Sequence, residues 1–511
     1  MSHSLLKSTS VVSSMTFISR ILGFLRDMLA AQIFGVNAEV DAFMIAFKLP
    51  NFMRSLFAEG AFSQAFVPTL AQYKETYPHE KVVEFIKHIS GGLIFILTII
   101  TIAAIIFMPI IVKINAPGFE AHRFQLAVYM CRITFPYLML ISLTALTGSI
   151  LNNYGKFGIP ALTPALLNLC LIFAALFMAK FFKIPIESQA WGIFIAGLVQ
   201  FGFQLPFLKK IGLLAWPKIN FNDPGVKRVL ILMMPAIFGA SIVQIGTLIN
   251  TIFASFLPTG SITWLYFSER LAYFPQGIFG VALVTVVLPH LSKQFAIKSE
   301  EGYHKALTWG VKCNLLIGIP AGLTMGILAG PLISTLFQYG HFSSVDVLMA
   351  RKSVIAYSIG LLAFMLGKML SAGFYARQNI KLPVKIGVFV VIVNIILNMV
   401  FIYPLKHAGL ALATSLSSML NVLLLIYFLY KYNYFRFQAF ETKWGLFLLR
   451  LILANVAIIL FYVAEQGDIH QWLAWNAHQR TLHLFNLMGG GVAIYLTVLW
   501  IFGMRINHFK L

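Results

Sequence analysis

Arg20, Arg26, Asp41, Lys48, Arg54 and Glu59 fall within the first sixty residues of a chain whose surroundings are almost wholly apolar. At 100° per residue, Asp41, Lys48, Asn51, Ser55, Glu59 and Ser63 form one polar stripe on a second helix. Arg54 joins that stripe if Pro50 kinks the helix and rotates its upper half. A first helix brings Ser13, Thr16, Arg20, Gly23 and Asp27 toward one face. Further along, Glu269 and Arg270 stand among Trp264, Tyr266, Tyr273 and Phe274, and Lys368 sits in the middle of the apolar stretch 354–375. Guanidinium forks grip phosphate oxygens in bidentate fashion and stay charged in almost any environment. Arg20, Arg26, Arg54 and Arg270 are therefore expected to converge on a phosphate-bearing cargo. Asp41, Glu59 and Glu269 would hold them apart in the empty state and exchange partners on loading. The competing reading is structural: ion pairs that glue helices, or long side chains that snorkel from span ends. It weighs more on Arg26, Asp27 and Asp41, near span ends, than on Arg20, Lys48, Arg54 and Lys368, which lie deeper.

The elements that must position these residues are membrane helices. Of 511 residues, 59% are hydrophobic and 11% charged, far from the roughly 25% charged residues of soluble domains; the mean hydropathy is +0.84. The fold class expected is an all-α polytopic membrane protein, and marking off apolar runs of about 20 residues gives roughly fourteen spans. The run after Met1–Lys7 carries Arg20 and Arg26 and lacks a small-residue cleavage site, so the first span is expected to be retained. A charge at the bilayer centre costs at least ~2.5–3.5 kcal/mol, which is why such residues face aqueous cavities and handle polar cargo. The net charge of +21 is divided among short loops rather than gathered on one face, which speaks against a nucleic-acid partner. With the N-terminus inside, every second loop is basic, and both termini are expected on the cytoplasmic side.

The chain repeats once. Pro68 and Pro289 lie 221 residues apart, and Pro109/Pro331, Gly118/Gly340, Tyr154/Tyr375 and Pro160/Pro383 follow at nearly the same offset. A period of about six helices gives two copies of equal orientation, one of the repeat plans of secondary transporters. The division expected is a six-helix lobe over 1–220, a second over 221–435, and two extra helices over 436–511. No catalytic motif, metal-ligand spacing or Gly-x-x-x-x-Gly-Lys loop is present. His79 and His88 are expected to be solvated beside a cytoplasmic loop, and Cys131, Cys170 and Cys313 to be reduced structural residues. Asn394 and Asn398 are expected to be interhelical glue rather than cation ligands.

The segments Arg20-Ile-Leu-Gly-Phe-Leu-Arg26-Asp27, Phe47-Lys-Leu-Pro-Asn51 and Phe57-Ala-Glu-Gly-Ala-Phe-Ser-Gln-Ala-Phe-Val-Pro68 resemble the MurJ (MviN) lipid II flippases. So do Ala116-Pro-Gly-Phe119, Glu269-Arg270-Leu271, Phe337-Gln-Tyr-Gly340 and Gly373-Phe-Tyr-Ala-Arg-Gln378, which carry the likeness over essentially the whole chain. The resemblance implies a member of the multidrug/oligosaccharidyl-lipid/polysaccharide exporter superfamily: a transporter, not an enzyme, with two six-helix lobes, two added helices lining a lipid-tail groove, and a cationic cavity. It implies lipid II, the undecaprenyl-pyrophosphate disaccharide-pentapeptide, as cargo flipped across the bacterial inner membrane, with membrane lipids and wall-synthesis proteins as neighbours. Arg20, Arg26, Asp41, Arg54, Glu59 and Arg270 match positions that family is thought to need, and Asn51 and Lys368 match polar residues lining its cavity. Family members often carry an arginine where Ser55 stands, and acidic sodium ligands where 383–403 offers only asparagines. No cofactor is expected; sodium coupling is disfavoured, and membrane potential is the alternative drive. Rival readings are a flippase for another lipid-linked glycan, a drug/cation antiporter, which the cationic residues argue against, an intramembrane glycan polymerase, or a scaffold for wall synthesis.

Overall fold

The structure is a computed structural model that describes residues 2–55, 62–435 and 444–505. Its regular structure is entirely helical, with no strand among the described residues. In chain order the helices are α1 (Ser2–Phe34), α2 (Ala38–Arg54), α3 (Ser63–Thr76), α4 (His79–Ile106), α5 (Met108–Asn115), α6 (Ala121–Thr134), α7 (Tyr137–Asn153), α8 (Gly158–Phe173), α9 (Glu187–Lys210) and α10 (Pro224–Ser255). There follow α11 (Ser261–Pro275), α12 (Val281–Ala296), α13 (Glu300–Ile327), α14 (Ala329–Phe337), α15 (Ser344–Ala376), α16 (Lys381–Lys431), α17 (Trp444–Glu465), α18 (Ile469–Ala474) and α19 (Ala477–Ile501).

Ten of these helical stretches are long and apolar enough to cross a membrane. Counting also α1, the α2–α3 pair, α10 and the second half of α16 is consistent with the fourteen spans expected. The repeat is visible as element order. The 28-residue α4, the short α5 and the 33-residue stretch 121–153 return as the 28-residue α13, the short α14 and the 33-residue α15. A π turn over Gln276–Gly280 joins α11 to α12, and π geometry at Ser55 and Phe62 occupies the corresponding place in the first copy. By packing, the chain divides into two compact units, Met1–Gly260 and Ser261–Leu511. Helix α10 therefore packs in the first unit, although the repeat assigns it to the second copy.

Helix starts follow the sequence chemistry. Asn37 caps α2 by accepting from the Val40 amide at 2.8 Å. Asp223 followed by Pro224 opens α10, and Ser343 with Asp346 forms a capping box on α15. In the first unit α3, α4, α7 and α10 enclose an aromatic core in which Phe66 stacks on Phe62 and Phe85, and Tyr73 on Phe85. In the second, α15 is the central rod, with α11 to α14 and α16 packed on it. The paired α17 and α19 flank it through α13 and α14. Arg480, buried at the start of α19, donates to the carbonyls of Trp472, Leu473, Ser334 and Gln338, tying α19 to α14 and α18. Side chains such as Ile99, Ile102, Ile106 and Ile110 touch little protein and read as lipid-facing.

Helix α16 is two antiparallel spans. Lys406 (φ 50°, ψ −131°) breaks it, and Asn394 Nδ2 donates to Ser417 Oγ at 3.1 Å across the pair. The reversal is so tight that a Cβ on Gly409 would lie 2.3 Å from the Phe401 carbonyl oxygen. A backbone atom cannot swing away as a side-chain tip can, so Gly409→Ala must open the turn. The expected cost is ~1–3 kcal/mol, the usual range for overpacking, read as a lowered thermal midpoint of the detergent-purified protein. An unchanged midpoint would refute the close approach.

Candidate functional site

In the first unit the candidate residues lie on α1 and α2. Arg26 is buried: its Nε and Nη2 donate to Asp27 Oδ1 at 3.0 and 2.6 Å, and its Nη1 donates to Asn168 Oδ1 on α8 at 3.0 Å. Asn168 Nδ2 in turn donates to the Ser19 carbonyl at 3.0 Å, and the guanidinium stands 5.3 Å from the Phe47 ring of α2. The network thus knits α1, α2 and α8. A turn and a half earlier on α1, Arg20 is half-buried and makes no hydrogen bond or ion pair among the described residues.

On α2 the stripe meets α10 and the turn that follows it. Asp41 is fully buried and accepts from the Gly260 amide at 2.6 Å, with Arg123 Nη1 of α6 at 3.7 Å. Two turns on, Lys48 Nζ donates to Thr251 Oγ1 at 3.2 Å. Asn51 Nδ2 donates to the Phe47 carbonyl at 3.0 Å and leaves Oδ1 to accept from Arg54 Nε at 3.3 Å. Pro50 cannot donate to the Ala46 carbonyl a turn earlier, and Thr134 Oγ1 of α6 donates to that carbonyl instead at 2.9 Å. Glu59 lies outside the described residues. Lys48 therefore reads onto α10, Asp41 onto the turn that follows α10 and onto α6, while Asn51 and Arg54 pair along α2 itself.

In the second unit Arg270 is exposed and donates from Nε and Nη2 to Tyr266 Oη at 3.2 and 3.1 Å, one turn back on α11. Its guanidinium lies 5.1 Å from the same ring, a geometry that orients the fork. Glu269 beside it is half-buried. Lys368 is the exposed member of the otherwise buried stretch 363–370 on α15. Among the described residues no three His, Cys, Asp or Glu side chains come together as a metal-holding group. Asn398 Nδ2 donates to Asn394 Oδ1 at 3.2 Å within the first span of α16, and of the two amides it is Asn394 that reaches across to Ser417 of the second span.

Sequence reasoning missed several partners. Asn168 is an isolated amide in an apolar run and Arg123 a cation at the start of α6; each could be flagged as polar, but neither position names its partner. One expectation is corrected. His88 is not solvated: it is buried, with Nδ1 2.8 Å from Asp223 Oδ2, because the chain leading into α10 folds back onto α4.

The profile of the family described as "Lipid II flippase MurJ" matches residues 30–480. A Vibrio cholerae protein named probable lipid II flippase MurJ is 42% identical, covering 100% of this chain and 98% of its own. The lipid II flippase MurJ of Burkholderia cenocepacia is 38% identical, with 99% of each chain covered. Among solved structures, a lipid II flippase MurJ in an inward closed conformation superposes with a TM-score of 0.81 at 29% identity, covering 96% of this chain and 98% of that one. An inward-facing multidrug MATE transporter of the MOP superfamily shares the fold, with a TM-score of 0.68 at 13% identity over 82% of this chain and 98% of its own.

Proposed function

The chain belongs to the MurJ family of lipid II flippases, and from that premise we propose that it carries lipid II from the inner to the outer leaflet of the cytoplasmic membrane by alternating access. As in its relatives, the activity is transport rather than catalysis. The pyrophosphate is the part of such a cargo that most resists a hydrocarbon core, and arginine forks are the protein groups that match it best. A cationic cavity is assigned to gripping it: in the first unit Arg20 and Arg54 supply the forks, with Lys48 adding charge and Asn51 orienting Arg54; in the second unit, taken by itself, Arg270 supplies a fork and Lys368 a charge. Arg26 is assigned to holding α1 in register, and Asp41, Glu59 and Glu269 to exchanging partners with the cations. The observation that carries this reading is Arg20: a cation deep in a spanning helix, with no partner among the described residues. Such a charge is costly to keep unless a ligand uses it.

No chemistry beyond binding and reorientation is required. A cavity charge moved through the field gains about 2.3 kcal/mol per 100 mV, enough to bias the return step without a coupling ion. The basic loops support a topology with both termini in the cytoplasm.

The test is the leaflet accessibility of lipid II in cells depleted of this protein. Precursor is expected to build up on the inner leaflet and to regain outer exposure with wild type, but not with Arg270→Ala; Arg270→Lys should restore part of it. Exposure unchanged by depletion, with no redundant flippase present, would overturn the cargo assignment and direct the search to another lipid-linked anion.

A further inference from the structure

The segment between α9 and α10 is laid against α4 rather than looped into water. The Lys218 amide donates to the Lys87 carbonyl at 3.0 Å. A Cβ on Gly91 would lie 2.4 Å from the Lys218 carbonyl group, and one on Gly92 3.2 Å from the Phe221 ring, so the two glycines form a saddle for this chain. Phe221 meets Phe95 edge-on at 5.9 Å. Asp223 closes the strap: it sits 2.8 Å from His88 Nδ1 and caps α10 by accepting from the amides of Gly225 and Val226 at 2.8 and 3.2 Å.

What the strap presents outward is both apolar and basic. Trp216 is 90% exposed, and Leu214 and Ile219 are also exposed. Lys209, Lys210, Lys218 and Lys227 are exposed as well. Asp223 is the sole carboxylate in the sequence between Glu187 and Glu269, and it is engaged with His88. The level of this surface follows from α4. Its uncharged run Ile89–Ile106 is 18 residues long, about 27 Å at the helical rise and close to the ~30 Å hydrocarbon thickness. Lys87 therefore marks the polar edge of the bilayer. Lys218, bonded to it, lies at the same level, and Trp216 is two residues away.

We propose that the strap 211–223 is a membrane-interface anchor. Trp216, flanked by Leu214 and Ile219, seats at headgroup level, where indole rings are best accommodated. Lys209, Lys210, Lys218 and Lys227 hold anionic phospholipid headgroups on the basic face of the membrane. The saddle at Gly91–Gly92 and the His88–Asp223 contact keep the strap from lifting.

The test uses the full chain in nanodiscs of phosphatidylcholine with or without phosphatidylglycerol. The difference between wild type and Trp216→Phe isolates one indole among eight. That signal is expected to be quenched by lipids brominated high on the acyl chain and spared by aqueous iodide. The triple variant Lys209→Gln, Lys210→Gln, Lys218→Gln is expected to lose the added iodide protection that phosphatidylglycerol confers. Iodide quenching without bromolipid quenching overturns the anchor and marks the surface as one that a soluble protein covers. Bromolipid quenching indifferent to phosphatidylglycerol and to the lysines overturns the headgroup assignment. Since Trp216 is almost fully exposed, the phenylalanine variant is expected to fold normally, which its yield checks.

Discussion

Arg20→Ala is expected to abolish lipid II translocation while leaving the amount of folded protein at the wild-type level. Both halves of this expectation come from the same geometry. Because Arg20 makes no hydrogen bond or ion pair among the described residues, truncation strands no partner there. It also removes a charge set within an apolar helix, which does not work against folding. The loss falls on the cargo. A hydrogen bond to a charged group contributes ~1.5–3 kcal/mol, so losing a bidentate grip weakens pyrophosphate binding by ~10²–10⁴-fold. Arg20→Lys keeps the charge but not the fork and should fall between the two. The measurements are leaflet accessibility of lipid II in complemented cells and binding of the precursor to purified protein. Full transport by Arg20→Ala at normal abundance would remove this residue from the site.

The neighbouring arginine should behave in the opposite way. Asp27→Ala is expected to reduce the amount of folded protein sharply, because it takes away the carboxylate that Arg26 Nε and Nη2 address at 3.0 and 2.6 Å in a buried setting. Breaking one side of a buried pair costs ~3–5 kcal/mol, whereas replacing both sides by apolar groups of similar volume is often neutral. The double variant Arg26→Met, Asp27→Leu should therefore recover much of the abundance that Asp27→Ala loses. Thermal midpoints in detergent report the stability. Transport by the recovered double variant then separates a role in holding α1 from a role in holding cargo. A stable Asp27→Ala protein would show that the partners of Arg26 other than Asp27, Asn168 among them, are enough to hold it.

The two arginines illustrate how far the sequence could be read. Their type, depth and shared helix are visible in Arg20-Ile-Leu-Gly-Phe-Leu-Arg26-Asp27, and the apolar runs on either side define the span. What separates them is Asn168, 142 residues away from Arg26, and a helical wheel names a face but not the neighbour it meets. The same limit hid Gly260 and Arg123 from Asp41, and Thr251 from Lys48. His88 was misjudged because its charged surroundings resemble a water-facing loop, while the saddle that covers it depends on Gly91 accepting a backbone at close range. The repeat, by contrast, was legible from prolines and glycines alone. Such residues mark helix ends and turns, and those recur whether or not the side chains between them have diverged.

The reversal at Lys406 also governs what can be varied. A connection that turns within a residue or two has no slack, so the two spans of α16 form a single rod pair. A disulfide or chemical bridge placed across Asn394 and Ser417 should be functionally silent. A tag or protease site inserted beside Lys406 should not be accommodated, making this turn a poor place to label the molecule and a good fixed reference for measuring distances to everything else in its own unit.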